Sequence, residues 1–156
     1  MAAKPIGYKT VTPYLVVRGV ANLLTFLEKA FDAREIIRLQ RPDGSIMHAE
    51  VRLGDSAVMM GEPMGDTAPM PASIYLYVDD CDAVYKRAIE AGGISVMEPA
   101  TMAHAGQRYG GVKDLCGNLW WPATHLADLS ADEQQRRIEA DKHKWSGGKF
   151  SPREEH

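Results

Sequence analysis

Cysteine is scarce in this chain. Only Cys81 and Cys116 occur, and they form no CxxC pair, so no disulfide framework is expected and a cytoplasmic location is the default. No apolar run reaches the ~18 residues that a membrane span needs. The opening Met1-Ala2-Ala3-Lys4-Pro5 lacks the apolar centre of a signal peptide. Basic blocks are missing before the C-terminal tail and the formal net charge is -3, so neither nucleic acid nor an anionic membrane is expected as a partner. What remains is ordinary: 156 residues, 45% hydrophobic and 25% charged, enough for one soluble domain with a real core.

The informative feature is an internal repeat. Pro13-Tyr14-Leu15-Val16-Val17 and Ile74-Tyr75-Leu76-Tyr77-Val78 are β-branched and aromatic runs of strand length. A helical pattern follows each. Val20, Leu23, Leu24, Leu27, Ala30 and Phe31 share one face, as do Cys81, Val84, Tyr85, Ala88 and Ile89, with Gly92-Gly93 as the stop. Three short strands are expected after each helix, at about 34–40, 46–53 and 56–61 and again at about 94–98, 107–113 and 118–124. Turns at Pro42-Asp43-Gly44, Gly54-Asp55 and Cys116-Gly117-Asn118 separate several of them. Two copies are too few for a solenoid, so the expected fold is α+β: two βαβββ modules, about 8–62 and 72–125, in one curled mixed sheet around a pocket, helices outside. A Pro-rich linker, 62–71, joins them. Ser130-Ala131-Asp132-Glu133 reads as a capping box opening a last helix to about 140, which ends the single domain 1–140 and leaves 141–156 as a tail that Trp145 could dock.

Strand alternation then sorts the side chains. Ala49, Val51 and Leu53 form an apolar face, which turns His48, Glu50 and Arg52 the other way. Thr12, Tyr14 and Val16 go together, as do Ser73, Tyr75 and Tyr77, with Leu119 and Trp121 on the last strand. A face carrying Tyr14, Tyr75, Tyr77 and Trp121 beside His48 and Glu50 suits a pocket with apolar walls and a few polar groups. Each has a plainer reading: His48 and Glu50 as a solvated pair, the tyrosines as filling between modules. Trp120 and Trp121 point to opposite faces, so at most one lines the pocket and the other packs beneath a helix or at a subunit contact.

The repeat, with His48-Ala49-Glu50-Val51-Arg52-Leu53-Gly54-Asp55 and Arg108-Tyr109-Gly110-Gly111-Val112-Lys113-Asp114, resembles the vicinal oxygen chelate superfamily. That group holds glyoxalase I, bleomycin-resistance proteins, fosfomycin-resistance enzymes and extradiol dioxygenases. Leu129-Ser130-Ala131-Asp132-Glu133 and Arg136-Arg137 are similar to its phosphonate-operon-B-like branch. The resemblance implies that catalytic members hold a divalent metal through four strand positions, which fall here at Thr12, His48, Ser73 and Trp121. His48 is the only competent ligand among them, so no complete metal site is expected.

Two functions follow. In the first, a homodimeric, drug-sequestering type of protein stacks a planar or cationic ligand on Tyr14, Tyr75, Tyr77 and Trp121, with Glu50 and Glu62 near its charge and no cofactor. In the second, a metal-assisted lyase or isomerase of the glyoxalase type uses His48 as general base and Glu50 as its orienting partner or a weak second ligand. Arg108 and Tyr109 then hold a substrate anion, unless Arg108 makes a surface ion pair instead. His104, in Met102-Ala103-His104-Ala105-Gly106, is either a lid residue or an ordinary loop histidine.

Overall fold

The structure is a computed structural model and describes residues 3–141. Its elements run β1 (Tyr14–Val16), α1 (Val20–Phe31), β2 (Arg34–Gln40), β3 (Ile46–Leu53), β4 (Ser56–Gly61), β5 (Ser73–Tyr77), α2 (Cys81–Glu90), β6 (Ile94–Met102), β7 (Gln107–Lys113), β8 (Leu119–His125) and α3 (Ala131–Ala140). The fold is α+β and its two βαβββ modules are those expected. The curled sheet resolves into two four-stranded mixed sheets of identical order, β1-β4-β3-β2 and β5-β8-β7-β6. In each, the first strand runs parallel to the last and the hairpins are antiparallel. The supposed docking of Trp145 lies outside the described residues.

Local chemistry sets the element ends. Gly19 opens α1 at φ 84, a left-handed conformation, with no side-chain cap of its own. The Glu62 carboxylate fills that role from the end of β4, accepting from the Gly19 and Val20 amides at 2.9 Å each, where it also meets the positive end of the helix dipole. In the second module the Thr124 hydroxyl on β8 accepts from the Cys81 amide at 2.9 Å, while Asp80 accepts from Ala83. Half of the expected capping box forms at α3: Ser130 accepts from the Glu133 amide, but the Glu133 side chain turns to Arg136 and Arg137.

The core lies between the helices and the inner sheet faces. Leu15, Val17, Val20, Leu23, Leu27, Ala49, Val51 and Met60 are at most 1% exposed, the apolar faces that alternation assigned to α1, β1 and β3. Trp120 joins the modules. It is fully buried, its ring lies 5.2 Å from Phe31 of α1, and its indole N–H donates to Asp114 at 2.7 Å. That carboxylate also accepts from the Cys116 and Asn118 amides and the Asn118 side chain, so the one deeply buried acid among the described residues is fully satisfied. α1 packs on α2, and Arg87 reaches Asp32 across the junction at 2.7 Å. No helix among the described residues is long and apolar enough to cross a membrane.

Candidate ligand-binding site

Packing the helices against one face of each sheet leaves the opposite face free. On the first sheet that face carries a continuous polar chain. Glu50 is held below the usual carboxylate range: burial pushes its pKa up, but hydrogen bonds from His48 and Tyr8 outweigh it. An ionised carboxylate only accepts, so His48 Nε2, 2.8 Å away, carries the proton. In the neutral ring Nδ1 is then the acceptor, and Tyr14 Oη donates to it at 3.2 Å. Tyr8, just before β1, donates to the second Glu50 oxygen. Arg52 pins that N-terminal turn, donating to the Gly7 carbonyl at 2.6 Å and lying over the Tyr8 ring. Gly61 makes room: a Cβ there would lie 2.9 Å from Tyr14 Oη.

The second sheet presents aromatic rings at matching places. Tyr75 lies 5.3 Å from Tyr77 and 5.8 Å from Tyr109, and Tyr109 lies 6.2 Å from Trp121, all edge-on. Gln107 ties two of them, accepting from Tyr75 Oη at 2.6 Å and donating to Tyr77 Oη at 3.2 Å. Trp121 donates to Ser73 at 2.8 Å and rests on Gly111, where a Cβ would come within 2.5 Å of its ring. Burial, with the neighbouring tyrosines, pushes the Tyr75 phenol up to about 12, so it stays a donor. Tyr75 is nevertheless 43% exposed, Tyr77 67% and Tyr14 47%; both faces are open.

The structure therefore groups the expected residues into two sets. Tyr14, His48 and Glu50 form one, and Tyr75, Tyr77 and Trp121 the other. Among the described residues the first set is bonded within β1, β3 and the Tyr8 turn before them, and the second set within its own sheet. Arg108 makes the surface ion pair that was one of its two expected readings. It sits one residue from Tyr109, hence on the helix side, where it grips Asp82 through two 2.7 Å hydrogen bonds. Glu62 is spent on the α1 amides. His104 occupies the β6–β7 turn, which Arg137 of α3 holds by donating to the Ala103 carbonyl. Tyr8 and Gln107 were missed; for Gln107 the parity of β7 carried the signal, and Tyr109 lies on the aromatic face, not beside the Arg108 ion pair.

The residues do not fit a metal. Among the described residues no cluster of three or more His, Cys, Asp or Glu side chains is placed to hold one. Both His48 nitrogens already have partners, Thr12 precedes β1 and bonds the Lys9 carbonyl, and Ser73 and Trp121 bond each other. The strand assignment of those four positions also changes. His48 lies on β3 and Trp121 on β8; register puts Met59 of β4, beside Tyr14, where β8 has Trp121 beside Tyr75.

Comparison with known proteins agrees with this architecture. The sequence model of the Glyoxalase/Bleomycin resistance protein/Dioxygenase superfamily matches residues 8–121. An uncharacterized protein of Mycobacterium tuberculosis is 34% identical over 138 residues, which cover 80% of this chain and 79% of that one. Among solved structures, TioX from Micromonospora sp. ML1 is 25% identical with a TM-score of 0.64, over 76% of this chain and 99% of its own. A glyoxalase-related enzyme from Fulvimarina pelagi shares the fold at 15% identity and a TM-score of 0.61, covering 80% and 94%.

Proposed function

The chain belongs to the Glyoxalase/Bleomycin resistance protein/Dioxygenase superfamily, and from that premise we propose that it is a small-molecule binder which holds a planar aromatic or cationic ligand in the cytoplasm without breaking a bond. One observation carries this reading: the open bed of Tyr75, Tyr77, Tyr109 and Trp121, with Gln107 fixing two hydroxyls. Rigid rings left open to water are ready stacking surfaces, each worth roughly 0.5–1.5 kcal/mol beyond burial. A second copy completes the cup by setting the ionised Glu50 of one chain opposite the aromatic bed of the other, and a homodimer is the expected state. The test is a titration of the protein with proflavine, a planar monocation, read by tryptophan fluorescence, alongside light scattering. Quenching that saturates in a dimer and disappears in Trp121→Leu is expected; unquenched fluorescence in the wild type sinks the binder.

A second reading, a lyase or isomerase, is favoured by the Glu50–His48–Tyr14 chain. Glu50 fixes the His48 tautomer and His48 accepts from Tyr14, so a proton taken from a substrate at Tyr14 Oη has a path to His48 Nδ1. Turnover of any α-hydroxycarbonyl compound that survives chelation and is lost in His48→Gln would replace the binder with this enzyme.

A further inference from the structure

A groove lies where the two modules meet. It has a volume of about 860 Å³ and runs along β5 between the C-terminal end of α1, the β3–β4 turn and the first turn of α2. That size falls within the ~300–1,000 Å³ of small-molecule pockets. Its floor is apolar, with Leu53, Val58, Ile74, Leu76 and Val84 among its residues, and the Phe31 ring closes one end. Around the mouth stand four carboxylates, Asp32, Asp55, Asp79 and Asp80. The sole lining cation is Arg87, and it is bound to Asp32 at 2.7 Å. Lys9 reaches Asp55 from outside at 3.5 Å, Asp80 caps α2, and the Asp79 side chain has no hydrogen bond or ion pair among the described residues. The positive end of α2 opposes this field, but Asp80 already answers it. Apolar walls under a net negative rim select against anions and strongly hydrated ions.

We propose that this groove is a second binding site, specific for lipophilic monocations whose apolar body fills the floor while the charge faces Asp79. It shares Tyr75 and Tyr77 of β5 with the aromatic bed but takes in neither Tyr109 nor Trp121, so Trp121→Leu tells the two sites apart. The test uses two ions of one shape and opposite charge, tetraphenylphosphonium and tetraphenylborate, in equilibrium dialysis against the full chain. Tetraphenylphosphonium is expected to bind once per chain and tetraphenylborate at least tenfold more weakly. Binding should survive Trp121→Leu, disappear in Ala83→Arg, and weaken roughly fivefold in Asp79→Asn, less so as salt rises. Should Ala83→Arg unfold, Asp79→Arg at the exposed mouth gives the same reading. Equal binding of both ions, binding lost only in Trp121→Leu, or no binding of either ion overturns the proposal. So does a dimer that Ala83→Arg makes monomeric, for then a second copy fills the groove.

Discussion

The two modules share strand order and register, yet their open faces differ. Tyr14 pairs with Met59 as Tyr75 pairs with Trp121, and Val16 with Gly61 as Tyr77 with Ala123. Extending the registers, Glu50 beside Met59 corresponds to Gly111 beside Trp121, and His48 to Tyr109. One backbone plan thus carries an acid–imidazole–phenol chain in the first copy and four edge-on rings in the second. The exchange is steric as well as chemical: the room that Glu50 takes on the first sheet is, at Gly111, given to the Trp121 indole. The inner faces have kept their apolar character because both must cover a helix. Selection on the core is shared, while each open face answers to its own contacts.

Breaking the shared side should cost most. Trp120→Ala empties the junction with Phe31 and leaves Asp114 short of a buried donor, and urea unfolding should show a loss of about 3–5 kcal/mol. Next comes Gly111→Ala, which gives the second sheet a Cβ where the first carries Glu50. The indole must move, and calorimetry should report about 1–3 kcal/mol of destabilisation together with weakened proflavine quenching. Trp121→Leu removes the ring without disturbing the core. Proflavine affinity should fall at least tenfold, about 1.4 kcal/mol, while the urea midpoint stays near that of the wild type.

The smallest effect belongs to the polar face. Glu50 has a depressed pKa, so its stabilisation is complete above the ordinary value of 4.5 and is lost as pH falls through the lower folded-state value. Glu50→Gln should flatten that acid limb by about 1 kcal/mol, measured as urea stability between pH 7 and the acid range. A limb unchanged by the substitution would show that the His48 and Tyr8 hydrogen bonds do not hold the carboxylate in its charged form.

Much of this was legible in the sequence because alternation and helical spacing report local geometry. The strands 34–40, 46–53, 56–61 and 107–113 and the α3 cap at Ser130 stand where pattern placed them. Trp120 and Trp121 face opposite ways, with Trp120 under a helix as expected. What alternation does not encode is which side chains bond one another, so one group of residues was expected where two bonded sets stand on two sheets. Long-range partners were equally hidden. Arg108 is 26 residues from Asp82, Glu62 is 43 from Gly19, and Tyr8 is 42 from Glu50. The β7–β8 turn spans five residues and the β3–β4 turn two. Aligning the two turns therefore does not align the strands that follow them.

The latch that each closing strand sets on its own helix has a consequence for how the protein comes apart. In the first copy the clasp is ionic and doubly donated, Glu62 on two amides; in the second it is a lone neutral hydroxyl, Thr124 on one. Charge-assisted bonds are roughly twice as strong as neutral ones. Asp80 also caps α2, whereas α1 has no cap on its own element, so Glu62→Ala should speed deuterium exchange at the leading amides of α1 more than Thr124→Ala does at those of α2.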